Sequence, residues 1–230
     1  MSDWRSFWDS EHSIYVNARH KDVHYREIAE QIAAFVPSPA ARLLDYGSGD
    51  AIHADRVAAV AAEVTLCDAA PSVRAAMAAR FADNPRIKVI APEAVAALPD
   101  GQLDLIVTNS VAQYLTKDEL TRLLAMFRRL LAPNGTLIFA DVIPPDVGAL
   151  SDVTALLRYA AKHGFLVAAL VGLAKTSVSP YRKIRSTLGI AQYTEAQFTR
   201  KLTDAGFAAE RLARNMEHNP ARMTFRGRPV

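Results

Sequence analysis

Up to about residue 145, apolar and polar positions divide the chain into short apolar runs separated by stretches with helical spacing. Residues 23–36, VHYREIAEQIAAFV, put Ile28, Ile32, Phe35 and Val36 on one face with the period of an amphipathic helix. The PSPA that follows stops it. RLLDY (42–46) is short and apolar, as a strand buried on both faces is. AIHADRVAAVAA then reads as helix, EVTLCD (63–68) as a second strand, and PSVRAAMAARF as a helix with Pro71 suited to its first turn. RIKVI (86–90), LDLIVTNS (103–110) and GTLIFADVI (135–143) are three further strands. Between the last two, TKDELTRLLAMFRRLLAPNG predicts a helix with Thr116 as N-cap, Glu119 closing a capping box, and PNG as its stop.

Strands that alternate with helices imply right-handed crossovers and a parallel sheet covered on both faces. Ligands of such sheets bind beyond the carboxyl ends of the strands. The residues to inspect are therefore 45–50, 68–70, 91–94, 109–114 and 141–145. Beyond 145 the pattern changes. A helical region over about 149–174 carries Val153, Leu156, Leu157, Phe165, Leu166 and Leu170 at helical spacing, with Arg158, Lys162 and His163 interrupting one face. An ordinary amphipathic helix packed on the core or on a second subunit has this pattern. So does an apolar lid over a greasy acceptor, or a surface in peripheral contact with a membrane. A polar link (175–192), a capped helix within YTEAQFTRKLTDAGF, and two strand-like pieces, AAERLARN and ARMTFRGR, complete the chain.

Composition narrows this picture only in places. Half of the 230 residues are hydrophobic, enough to fill one core with an appended lid. Cys67 is the single cysteine, which excludes an internal disulfide and a cysteine-based zinc cage. The first residues show no basic-then-apolar signal pattern, and the longest apolar stretch, GFLVAALVGLA (164–174), is too short to span a bilayer. The expectation is a soluble, cytoplasmic protein with no transmembrane segment. Charge is uneven. Residues 1–174 carry 16 Lys and Arg against 20 Asp and Glu, whereas 175–230 carry 11 against 4. A basic tail of this kind is a solvated face, or else meets an anionic substrate, a membrane surface or nucleic acid.

The stretch LLDYGSGDAIHADRV (43–57) holds the chemistry. A dinucleotide loop has three glycines spaced G-x-G-x-x-G; Gly47 and Gly49 fit, but Ile52 stands third. Asp45 and Asp50 bracket the turn and would repel phosphate, and no lysine-bearing phosphate loop exists. The turn suits a ligand that carries positive charge and no phosphate, such as S-adenosylmethionine. Asp68, at the end of the second strand, is placed to accept both hydroxyls of a ribose.

With these residues the chain resembles the class I S-adenosylmethionine-dependent methyltransferases. Asp45, Gly47 and Gly49 match the family's first motif and Asp68 its ribose-binding acid. The similarity runs from about residue 40 to 145 and again through YTEAQFTRKLTDAGF and RMTFRGRP. It implies an α/β, doubly wound, seven-stranded and mostly parallel sheet, Rossmann-like, with an antiparallel last strand between the fifth and sixth. It divides the chain into an N-terminal helical cap (1–40), a Rossmann-like domain (41–145 and 190–230) and a helical lid (146–189). The implied cofactor is S-adenosyl-L-methionine, held by Asp45, Gly47, Gly49, Asp68 and Ala69. Glu93 or the backbone of Ala94 would meet the adenine, and Asn109, Ser110 and Gln113 the methionine end. Ala51 stands where a further glycine is common. TNSVAQYL lacks the N-P-P-Y or D-P-P-Y run of enzymes that methylate nucleobase amino groups, which makes nucleic acid a poor candidate for the acceptor.

Methyl transfer from a sulfonium is an in-line displacement that needs a base only when the nucleophile arrives protonated. SIYVNARHKDVHYREIA supplies the candidates. His20 and His24, four apart and so on one helical face, are the candidate catalytic residues. Tyr15, Tyr114 and Tyr181 are candidate acceptor-binding residues. Two histidines bind a metal only with a third ligand, and without an H-E-x-x-H pattern no metal is expected. The reading is O- or N-methylation of a small apolar acceptor by a monomer or homodimer. The alternatives are an RNA-directed methyltransferase guided by the basic C-terminal part, a non-catalytic methyltransferase-like binding module, and a nicotinamide-dependent oxidoreductase, against which Asp45 and the missing third glycine speak.

Overall fold

The computed structural model describes residues 15–176 and 190–230. Its elements in chain order are α1 (Ala18–Phe35), β1 (Arg42–Tyr46), α2 (Ala54–Ala58), β2 (Glu63–Cys67), α3 (Pro71–Arg80), β3 (Ile87–Ile90), α4 (Pro92–Ala96) and β4 (Leu103–Asn109). They continue with a 3-10 turn (Ala112–Tyr114), α5 (Lys117–Leu130), β5 (Leu131–Val142), α6 (Ala149–His163), α7 (Leu166–Thr176), α8 (Glu195–Asp204), β6 (Phe207–Arg211) and β7 (Met223–Pro229). The strands form one seven-stranded sheet in the order β3-β2-β1-β4-β5-β7-β6. β1 to β5 are parallel, and β7 runs antiparallel between β5 and β6. The parallel part is what the alternation of strands and helices implied, and the inserted antiparallel strand is where the family resemblance placed it.

Buried side chains explain why the central strands read as unbroken apolar runs. Leu44, Ile106 and Phe139 face a core with Phe127 of α5 and Phe198 of α8. Leu43, Leu105 and Ile138 face the other layer, with Ile28 and Ile32 of α1 and Val57 of α2. Each such large side chain stabilises the fold by about 1.5–3 kcal/mol. α5 begins at the expected capping box: Glu119 N–H donates to Thr116 Oγ1 (3.2 Å) and Thr116 N–H to Glu119 Oε2 (2.8 Å). A second box, Thr194 with Gln197, starts α8.

Several boundaries differ from the sequence reading. PNG (133–135) lies within β5, because the strand begins at Leu131 directly after α5. The helical region 149–174 is two helices, since Gly164 ends α6 in the left-handed conformation (φ 74°) and redirects the chain. α1 starts at Ala18, with the Asn17 side chain accepting the N–H of His20 (2.8 Å). A third, smaller apolar cluster ties α1 to α6 and α7 through Val23, Tyr159, Ala160, Phe165 and Ala169. No helix among the described residues is long and apolar enough to cross a membrane.

Candidate active site

The turn after β1 requires its glycines. Gly47 and Gly49 have φ of +77° and +57°, where L side chains are strained. A Cβ on Gly47 would stand 2.5 Å from Val111 Cγ2, and one on Gly49 2.5 Å from the Tyr25 hydroxyl. That hydroxyl accepts the N–H of Asp50 (2.8 Å), so α1 clamps the turn from outside. The Asp50 carboxylate meets Lys21 (2.6 Å).

Asp68 braces the same turn from the neighbouring strand. Its two oxygens accept the N–H groups of Gly49 (3.0 Å) and Ala70 (2.9 Å). Each oxygen keeps lone-pair capacity for a further donor. Burial pushes the Asp68 carboxyl upward, and the two N–H bonds and Arg74 work against that. Arg74 donates to the carbonyls of Asp68 and Ala69, 2.8 Å each. Asp45, buried at the end of β1, is pushed up to about 7, by burial first and by Asp68 second. Glu93 is exposed in the first turn of α4, and the N–H of Ala94 is committed to Ala91 O (3.0 Å).

Strain gathers at the carboxyl ends of three adjacent strands. Among the described residues, the non-glycine ones with positive φ are Ala51 (42°) after β1, Ser110 (57°) after β4, and Asp141 (63°) near the end of β5. Such conformations persist only where surrounding structure fixes them, and they cluster at functional sites. Here the fixing groups are visible: Ser110 Oγ donates to Asp141 Oδ2 (2.7 Å), Arg222 Nη1 reaches the same oxygen (2.6 Å), and Asn215 Nδ2 donates to Asp141 Oδ1 (3.1 Å). Asn109 Oδ1 and Gln113 Oε1 are buried without a hydrogen-bond partner. Orphaned buried acceptors are costly unless something donates to them.

Residues absent from the sequence reading complete this face. Glu217, in the loop between β6 and β7, accepts from Asn109 Nδ2 through Oε1 (2.8 Å). Its Oε2 lies 3.4 Å from His24 Nδ1 and 3.5 Å from His218 Nδ1. Burial acts to raise the Glu217 carboxyl, but His24, His218 and Asn109 together outweigh it and hold the group at about 2. His218 stacks on Tyr159 of α6 (5.0 Å between centroids).

The two histidines of α1 part company. His24 joins Glu217, whereas His20 is buried and stacks on Phe165 (4.8 Å, 18°), held at about 4 by burial. Tyr15 packs against both, 5.2 Å from His20 and 5.3 Å from His24. Tyr114 is half-buried in the 3-10 turn, and Tyr181 lies outside the described residues.

The model of the methyltransferase domain family matches residues 44–139, from β1 into β5. Uncharacterized methyltransferases of Mycobacterium tuberculosis and Mycobacterium bovis are 32% identical over 129 residues, which cover 55% of this chain and 61% of each relative. The match thus spans about three-fifths of those relatives. Among solved structures, mitomycin 7-O-methyltransferase aligns with a TM-score of 0.61 at 20% identity, over 91% of this chain and 56% of that one. DhpI, solved as a complex with SAH, aligns with a TM-score of 0.58 at 17% identity, over 98% of this chain and 91% of that one. Residues 44–139 thus resemble a methyltransferase domain, and the sheet order is that of the fold those neighbours share.

Proposed function

We propose that the protein transfers a methyl group from S-adenosyl-L-methionine to a small, largely apolar acceptor. The observation that carries this reading is the pairing of Asp68 with the glycine turn. A carboxylate with spare acceptor capacity, locked against Gly49 and Ala70, suits a ribose and rejects a pyrophosphate. The rest of the face fits the same ligand. Asn109 Oδ1 and Gln113 Oε1 are buried acceptors without donors, which an ammonium supplies. Asp45 adds a buried carboxyl on the side where positive charge would rest. When bound, the cofactor supplies an electrophilic methyl group on a sulfonium.

In this reading Gly47, Gly49, Asp68 and Ala69 hold the nucleoside half, Asp45 faces the charged part of the cofactor, and Asn109, Ser110 and Gln113 meet the methionine half. His24, Glu217 and His218 then stand at the acceptor side, joined to the cofactor side by the Asn109–Glu217 hydrogen bond. The apolar surroundings favour an apolar acceptor: Tyr15, Tyr159 and Phe165 pack around the two α1 histidines. The region around α6 and α7 acts as the lid, and its contact with α1 through Val23, Tyr159 and Phe165 supports that role.

Calorimetry with S-adenosylhomocysteine and with NAD tests the reading. Binding of the former alone supports it. Binding of NAD alone would overturn it.

A further inference from the structure

His24, Glu217 and His218 each offer one donor atom, and these atoms lie within 4.8 Å of one another. Glu217 Oε2 is 3.4 Å from His24 Nδ1 and 3.5 Å from His218 Nδ1. Both separations exceed the roughly 2.7–3.2 Å of an N–H···O hydrogen bond. They match the donor–donor edge of about 3.3–3.4 Å in a tetrahedron whose metal–ligand bonds are about 2.0–2.1 Å. His218 Nδ1 is buried and has no hydrogen-bond partner. A buried imidazole nitrogen left in that state, facing a carboxylate oxygen that a second imidazole also faces, is better explained by a shared cation than by hydrogen bonding.

We propose that His24, Glu217 and His218 bind one divalent transition-metal ion of the zinc type, with the remaining coordination position open to the acceptor. Two imidazoles and one carboxylate are a donor set that holds zinc with a free position, and divalent iron likewise. The surroundings orient the ligands as metal sites require. Asn109 Nδ2 holds the other Glu217 oxygen (2.8 Å), Tyr159 stacks on the His218 ring, and the Tyr25 ring stands at 85° to that of His24. The ligands come from α1 and from the loop between β6 and β7, so the ion ties the helix that clamps the glycine turn to the far end of the sheet. His20, although it shares a helical face with His24, stays out of the group because its ring is stacked on Phe165.

The chemical role of the ion rests on the methyl-transfer reading, whereas its binding does not. An ion in this place would lower the pKa of a hydroxyl or thiol on the acceptor, so that its proton passes to water and the metal-held anion then takes the methyl group, leaving the cofactor as its thioether.

The test uses the full chain without a polyhistidine tag, stripped by a chelator and titrated with Zn²⁺ by calorimetry. One Zn²⁺ per chain is expected, with Glu217→Gln and His218→Ala each weakening it by at least about tenfold while circular dichroism stays that of the parent. Replacement by Co²⁺ in the parent chain should give the visible spectrum of a low-coordinate nitrogen–oxygen site, a readout that needs no variant to fold. No stoichiometric Zn²⁺ binding by the parent, or equal binding by both folded variants, overturns the proposal. A parent Co²⁺ spectrum of a fully hydrated ion overturns it as well. S-Adenosylhomocysteine titrated into the metal-free chain separates the two readings. Its binding without any Zn²⁺ binding removes the metal site alone, and Zn²⁺ binding without it removes the methyl-transfer reading alone.

Discussion

The carboxylate of Asp68 accepts the backbone N–H of Gly49 across 3.0 Å, so the end of β2 holds in place the turn that follows β1. One side chain therefore shapes the turn and, in the proposed function, also meets the ribose. Asp68→Ala removes both functions. The two hydroxyl–carboxylate bonds should contribute about 1.5–3 kcal/mol each, so the affinity for S-adenosylhomocysteine falls at least about 100-fold. The melting temperature falls too, because the Gly49 and Ala70 N–H groups lose their acceptor. Calorimetry and thermal melting on one preparation check both; an unchanged dissociation constant would place the ribose elsewhere.

Gly49→Ala attacks the turn from the opposite side. A Cβ at φ +57° costs about 1–2 kcal/mol and meets the Tyr25 hydroxyl, which must give up the Asp50 N–H. Tyr25→Phe removes the obstructing oxygen in advance. The double variant should then be more stable than the sum of the single effects by about 0.5 kcal/mol or more. Strict additivity in denaturant melts would show that Tyr25 does not clamp the turn.

The strands were legible because they leave local patterns, and so were the residues that stand at their carboxyl ends. A buried parallel strand is an apolar run, and its ligand-facing residues are simply those that come next, as at Asp45, Asp68 and Asn109. The group around His24 was half hidden. His24 stood out as one of a helical pair, but Glu217 and His218 sit in a loop with no periodicity, and nothing in the sequence announces that Glu217 meets Asn109, 108 positions earlier. Tyr25 gives no signal of its own, because a tyrosine within an amphipathic helix reads as core. Gly164 lies at the start of an apolar stretch that hides it, although its left-handed conformation divides residues 149–176 into two helices. The sequence offers the two histidines of α1 no third ligand nearby, because Glu217 and His218 lie near the other end of the chain.

His20 should govern part of the acid stability. Burial first, with His24 and His218 adding to it and Glu217 opposing, holds His20 at about 4, below the ordinary 6.5. The unfolded chain therefore binds a proton between pH 6.5 and about 4 that the fold refuses. Stability is full above pH 6.5, falls as pH is lowered through that window, and loses roughly 3 kcal/mol by its lower end. His20→Phe keeps the stack on Phe165 and cannot titrate. It should flatten this limb of the stability curve in urea melts at pH 4.5 and 7. An unaltered limb would assign the acid sensitivity to other groups.

Asp45 makes the complementary prediction for ligand binding. Its carboxyl, pushed up to about 7 by burial and by Asp68, is mostly protonated at pH 6 in the ligand-free protein. A ligand that brings an ammonium or a sulfonium favours the ionised form, so binding lowers the pKa and releases a proton. Affinity must then rise with pH, by up to about tenfold per unit below 7, and level off above it. The stability of the ligand-free fold has the opposite sign. A carboxyl raised above its unfolded value costs nothing while protonated in both states, and its penalty grows as pH rises from the ordinary carboxylate range to about 7. Asp45→Asn separates the two effects, since the amide keeps the shape and carries no charge. It should raise the ligand-free melting temperature at pH 8, weaken S-adenosylhomocysteine binding at that pH, and abolish the pH slope of affinity between 5.5 and 7. A slope that survives the substitution would move the titrating group away from the end of β1.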